Sequence, residues 1–92
     1  MRFEWDAIKA ASNLLKHGVS FTEAVEVFYD PNAVEGYDAA HSDVEARFFT
    51  IGLSSRRLLY VVYAERRRDT VRIISARRAN KMEQTDYERR IY

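Results

Sequence analysis

Leu58-Leu59-Tyr60-Val61-Val62-Tyr63-Ala64, then Glu65-Arg66-Arg67-Arg68-Asp69, then Thr70-Val71-Arg72-Ile73-Ile74-Ser75-Ala76 is the stretch that decides the fold. Its first part is apolar or tyrosine without a break, the pattern of a central strand covered on both faces. The charged run that follows reads as a solvated hairpin turn, and Thr70 to Ala76 as the strand that returns beside the first. Before it, Ser54-Ser55-Arg56 is a turn and Glu45 to Leu53 another strand. Ala33-Val34-Glu35-Gly36 reads as a short edge strand leading into a polar loop, Asp38 to Asp43. Consecutive strands joined by short turns predict an antiparallel meander.

Helices are predicted on either side of these strands. Phe3 and Trp5 alternate with Glu4 as in a short strand, and Asp6 then caps a helix to about Lys16, with Ile8, Ala11 and Leu15 at helical spacing. His17-Gly18 closes that helix, because glycine adopts the left-handed conformation of a C-terminal cap at no steric cost. Ser20-Phe21-Thr22-Glu23 is a capping box, in which Ser20 and Glu23 each satisfy the other's backbone amide. Phe21, Ala24, Val25 and Phe28 form the stripe of the second helix, which Asp30-Pro31-Asn32 ends. Asn80, with Glu83 three residues on, starts a C-terminal helix to about Arg90 whose apolar stripe (Met82, Tyr87, Ile91) is thin. The expected architecture is α+β over residues 1–92 as a single domain. It has an antiparallel sheet, two N-terminal helices packed on one face and a short C-terminal helix.

Composition narrows the function classes. A chain of 92 residues holds one core, and the absence of cysteine excludes disulfides and thiolate metal sites. The histidines, 24 positions apart, do not form a recognisable metal-ligand spacing, and no glycine-rich phosphate loop is present. Neither a metal nor a cofactor is expected. Met1 to Asp6 carries acids where a signal peptide needs an apolar run, and no stretch approaches the roughly 20 apolar residues of a membrane span. A cytoplasmic protein with no membrane association is the expectation. Residues 1–45 hold three basic side chains against nine acids, a balance of −6, and residues 46–92 hold twelve against five, a balance of +7. That asymmetry points to a polyanion such as RNA.

Alternation sorts the cations. On the last strand Val71, Ile73, Ser75 and Arg77 are expected on one face, and Arg72, Ile74, Ala76 and Arg78 on the other. Arg47 falls on the face of Phe49, Ile51 and Leu53. An arginine held at a strand end offers phosphate a rigid fork, whereas one paired with Glu45, Glu65 or Asp69 is ordinary surface. Metal-free RNA cleavage needs a base for the 2′-hydroxyl, an acid for the leaving oxygen and cations for the phosphate. His41, Glu45, Arg47 and Arg77 can supply those roles, with His41 and Glu45 at i and i+4 around a strand entrance. His17 is a further candidate for proton transfer, although its place suits a helix-end residue. Tyr60 and Tyr63 read as core or sheet-face residues, while Tyr87 and Tyr92 lie near the chain end, within reach of a substrate. Arg66-Arg67-Arg68 reads as a solubilising hairpin tip.

Several blocks then match one family. Phe3-Glu4-Trp5-Asp6, Lys9-Ala10, Asn13 and Lys16-His17-Gly18-Val19-Ser20-Phe21 with Glu23-Ala24 resemble the opening of BrnT toxins. Phe28-Tyr29-Asp30-Pro31, His41 with Glu45-Ala46-Arg47, Gly52, Arg72 to Arg77, Ala79, Glu83 and Tyr87-Glu88 continue the resemblance across essentially the whole chain. It implies a RelE-like ribonuclease fold and a cytoplasmic type II toxin that cuts RNA and arrests growth. It also implies a partner, a BrnA-like ribbon-helix-helix antitoxin that neutralises the toxin and, in a hetero-oligomer, binds operator DNA. Arg47, Arg77, His41 and Glu45 are then the candidate catalytic residues, and Lys9, His17, Arg72 and Tyr87 the candidate RNA contacts. A non-catalytic module that holds nucleic acid or a partner is the alternative. Glu23, Glu26 and Asp30 are expected as an acidic helix face that either orients the fold against RNA or receives a basic antitoxin.

Overall fold

A computed structural model describes residues 1–42 and 44–91, apart from the side chains of His41 and Ile91. Asp43 and Tyr92, named above in the polar loop and at the chain end, lie outside the described residues. The elements in chain order are β1 (Arg2–Glu4), α1 (Ala7–His17), α2 (Phe21–Val27), β2 (Val34–Tyr37), a 3₁₀ turn (Ala39–His41), β3 (Phe48–Leu53), β4 (Leu58–Arg66), β5 (Thr70–Arg78) and α3 (Lys81–Ile91).

One sheet of order β1-β5-β4-β3-β2 carries the fold. Strands β2 to β5 form the expected antiparallel meander with β4 inside it. The sheet is nonetheless mixed, because β1 lies parallel to β5 on the far edge, Phe3 opposite Val71. Strand direction is not readable from three alternating residues; the helices that carry the chain from one edge of the sheet to the other set it. The strand expected from Glu45 starts at Phe48, and β4 and β5 extend to Arg66 and Arg78, so the charged turn tightens to Arg67–Asp69.

The larger core lies between the N-terminal helices and the sheet, where Val19, Phe21, Ala24 and Val27 pack on Leu59, Val61, Ile73 and Ala76. A smaller core on the opposite face packs Tyr87 of α3 and Ala79 on Ile51, with Phe49, Leu58 and Tyr60 at its margin. Helix α3 thus covers the β2–β3 end of this face and leaves the β4–β5 part open. Among the described residues no helix is long and apolar enough to cross a membrane.

Three local expectations are corrected. The apolar spacing on α1 points outward: Ile8 is 82% and Leu15 90% exposed, while Asn13 is the residue that α1 buries. Spacing defines a helix face without saying which face turns inward, and here Asn13 decides. Its amide donates to the carbonyls of Val19 (3.0 Å) and Ala76 (2.8 Å) and accepts from the Ala76 N–H (3.1 Å). Strand β1 reaches only as far as Arg72 along β5, so Asn13 satisfies the edge that β1 leaves open.

The second correction concerns the acids of α2. Ser20 accepts from the Glu23 N–H at 3.0 Å, but the Glu23 carboxylate does not return to Ser20. It takes two bonds from Arg57 (3.0 and 2.9 Å) and one from the Ser54 hydroxyl (2.8 Å), and Arg57 also donates to the Gly18 carbonyl. The Arg57 hydrogen bonds hold the Glu23 carboxyl below its usual range and raise the arginine in turn. Glu26 accepts from the Ser55 N–H, and Asp30 from the Leu53 N–H and the Tyr87 hydroxyl. These acids therefore clamp the β3–β4 turn and α3 to the helices and do not form a free acidic face.

The third is a bulge. Val62 faces Ser75 while Tyr63 faces Ile73, so Ile74 has no partner across the ladder. One inserted residue reverses the alternation beyond it. Val71, Ile73 and Ala76 consequently share the helix-covered core, and Arg72, Ser75 and Arg77 share the open face.

Candidate functional site

The open part of the sheet forms a cleft of ≈ 360 Å³. Its floor is Tyr60 and Val62 of β4 with Ile74 and Ser75 of the bulge, and its basic side chains are Lys16, His17, Arg47 and Arg77. Each arrives by a different local device. Gly18, at φ 68° with its N–H on the Leu14 carbonyl, stops α1 so that Lys16 and His17 stand at the cleft. Arg47 sits just before β3, in a loop pinned on both sides. Its N–H donates to the Ser42 hydroxyl oxygen (2.9 Å), and its carbonyl accepts from the Asp38 N–H (2.8 Å). Arg77 reaches the open face because the bulge has turned it there.

Arg77 is held as a fork. It donates to both oxygens of Glu83 at 2.8 Å and to the carbonyl of Arg78 at 3.1 Å. Its guanidinium lies 4.3 Å from the centre of the Tyr60 ring, which stacks on Phe49 at 5.3 Å. The Glu83 bonds raise Arg77 further above its ordinary value. Glu83 also accepts from the Asn80 N–H while Asn80 accepts from the Glu83 N–H, the reciprocal box expected at the start of α3. One carboxylate thus starts a helix and orients an arginine. Arg47 differs: its Nε is buried without a hydrogen-bond partner among the described residues. A buried donor left unpaired costs about 1–3 kcal/mol.

The structure brings Arg47, Arg77 and His17 to one cleft. Further along the same face Glu45 is joined to Arg66 (2.8 and 3.3 Å), and Arg72 to Glu4 (2.9 Å). The Arg66 hydrogen bonds hold the Glu45 carboxyl below its usual range, which weakens it as a base. Lys9 is exposed on α1 and does not line the cleft. Tyr87 is core: it is buried against Ile51, its hydroxyl donates to Asp30 at 2.6 Å, and burial with that bond pushes it up to about 12. The aromatic near the chain end is therefore a clasp between α3 and α2. The backbone of His41 is in the 3₁₀ turn, and its side chain lies outside the described residues. Sequence reasoning passed over Lys16, Ser75 and Glu83. Only Glu83 had a signal, as the acid of the α3 capping box. Among the described residues no group of three His, Cys, Asp or Glu side chains can hold a metal ion.

A family profile described as the ribonuclease toxin, BrnT, of type II toxin–antitoxin systems matches residues 5–83. Among solved structures, the 1.1 Å crystal structure of the Brucella abortus ribonuclease toxin BrnT is similar, with a TM-score of 0.66 and 24% identity. The alignment covers 88% of this chain and 99% of that one, a likeness of fold. No curated protein sequence matches at a significant level.

Proposed function

The chain belongs to the BrnT family, the ribonuclease toxins of type II toxin–antitoxin systems, and on that premise we propose that it cuts RNA in the β4–β5 cleft by metal-independent acid–base chemistry. The observation that carries this reading is the convergence of Lys16, His17, Arg47 and Arg77 on one cleft. RNA offers what such a cleft lacks, phosphate oxygens and a 2′-hydroxyl within reach of a titratable ring.

In this mechanism Arg77, pre-set by Glu83 and Tyr60, presents its remaining guanidinium edge to the phosphate, and Arg47 supplies the second cation. Fixed donors of this kind stabilise the charge that grows on the phosphorane without reorganising. His17 is the proton carrier whose ring stands in the cleft, and His41 and Glu45 are the further candidates. Lys16 adds charge at the α1 end, and Arg72 extends the basic track along the sheet. Lys9, on the exposed side of α1, and Tyr87, in the core, lie outside the cleft and take no role in it.

As a toxin of this family the chain arrests growth in the cytoplasm. It is neutralised by a BrnA-like ribbon-helix-helix antitoxin, through which the complex binds operator DNA.

The test is cleavage of a synthetic RNA by the purified chain with a chelator present. Cleavage should persist, and Arg47→Ala with Arg77→Ala should lower kcat on the order of a hundredfold or more in a variant that circular dichroism shows still folded. Intact RNA that is nonetheless bound in a salt-dependent way would instead make the chain a non-catalytic binding module. Full activity in the double variant would remove this cleft as the site.

A further inference from the structure

Helix α1 turns its apolar side to solvent. Ile8 is 82% and Leu15 90% exposed, with the exposed Ala11 between them at i, i+3 and i+7. Next to this stripe an open groove of ≈ 190 Å³ runs between α1 and the start of α2, with Trp5, Leu14 and Phe21 in its walls. A contiguous apolar surface with a socket beside it is the anatomy of an interface, a stripe plus a place for an anchoring side chain.

Within the helix itself the charge is of one sign. The segment Ala7–His17 contains Lys9, Lys16 and no acid, although it lies in the acidic half of the chain. Neither lysine has an ion-pair partner among the described residues. The nearest acid along the chain, Asp6, is engaged in capping α1 through the Ile8 and Lys9 amides, and the acids of α2 are spent on Arg57 and the β3–β4 turn. An apolar stripe edged by unpaired cations is complementary to an amphipathic helix edged by acids. RNA gains nothing from exposed isoleucine and leucine, and a second copy of α1 would set lysines against lysines.

We propose that α1 is the docking surface for the neutralising protein, engaged by an amphipathic helix with acidic flanks that lies along Ile8 to Leu15. The helix ends at Lys16 and His17, which line the cleft, so a segment continuing past them covers the cleft mouth. Neutralisation then follows from occlusion, with the partner's acids on the cations that RNA phosphate would otherwise meet. This rests on the reading of the chain as a toxin restrained by a protein antitoxin.

The experiment co-expresses the chain with a BrnA-like antitoxin and compares wild type with Ile8→Gln plus Leu15→Gln. Both side chains are solvent-exposed, so melting temperature and RNA cleavage by the isolated variant should match wild type. Antitoxin affinity should fall on the order of a hundredfold and suppression of cleavage should be lost. Lys9→Glu should weaken antitoxin binding about tenfold and flatten its salt dependence. The docking surface is overturned if the double variant is still bound and silenced, or if wild type binds no antitoxin. It is equally overturned if sedimentation shows wild type self-associating through this stripe while antitoxin binding survives the substitutions. Failure of wild type alone to cleave RNA would refute the enzymatic reading, and the binding arm would still report on the surface.

Discussion

Glu83 shows how much one side chain can be asked to do. Its carboxylate closes the α3 capping box with Asn80 and fixes both outer nitrogens of Arg77. The two tasks are separable, because glutamine serves a capping box as glutamate does while carrying no charge. Glu83→Gln should keep α3 and lower kcat, since Arg77 loses the ion pair that orients it. RNA should bind more tightly, by roughly three- to tenfold, because a negative charge has left the cleft. Steady-state kinetics would read this as KM and kcat falling together, whereas a merely structural Glu83 would move stability alone. Sequence pointed to Glu83 only as a cap. That Arg77 lies within reach of it follows from the strand register and the bulge, which no local pattern displays.

At the scale of elements, the caps were legible and the faces were not. Asp6 accepts from Ile8 and Lys9, Gly18 takes the left-handed conformation, and Asn80 and Glu83 close on each other, as local spacing required. Each involves residues within a few positions of one another, so short-range chemistry suffices. Which side of α1 is buried depends instead on Ala76, 63 positions away. Asn13→Ala should leave the N–H and carbonyl of Ala76 unsatisfied at the β5 edge, at a cost of about 2 kcal/mol. Thermal unfolding should then fall by roughly 8–16 °C, the scale for a domain of this length, and the Ala76 amide should lose hydrogen-exchange protection first. An unchanged Ala76 exchange rate would deny Asn13 its role as a substitute strand.

For the whole molecule, charge is organised by folding. Much of the acidic first half meets the basic second half across the chain: Glu23 with Arg57, Glu45 with Arg66, Glu4 with Arg72. The carboxyls of Glu23, Glu45 and Asp6 are lowered by their hydrogen bonds. Burial alone would raise Asp30, but the bonds from Tyr87, Leu53 and Asn32 outweigh it and lower it too. The stability they contribute is complete above the ordinary values of 4.5 for Glu and 3.8 for Asp, and is lost as pH falls below these. Tyr63, through burial, and Tyr87 are pushed up to about 12, so their contribution holds below 10 and is lost as pH rises from there towards 12. Urea unfolding across pH should therefore show a plateau with an acid limb and an alkaline limb, and Tyr87→Phe should shrink the alkaline limb. An alkaline limb identical in the variant would remove Tyr87 from this account.

By itself the sequence determined the element list, the caps and the antiparallel run from β2 to β5. It also placed the chain in its family, since the blocks that carry the resemblance are contiguous and survive without coordinates. Tertiary structure alone decided that β1 lies parallel to β5 and that α1 shows its apolar stripe to solvent. It alone turned Arg77 and Ser75 to the open face, where they meet Lys16, His17 and Arg47. The physical reason is the range of the forces involved. Capping and periodicity act over a few residues, whereas the orientation of a face is settled by partners tens of positions apart, and a single bulged residue inverts it.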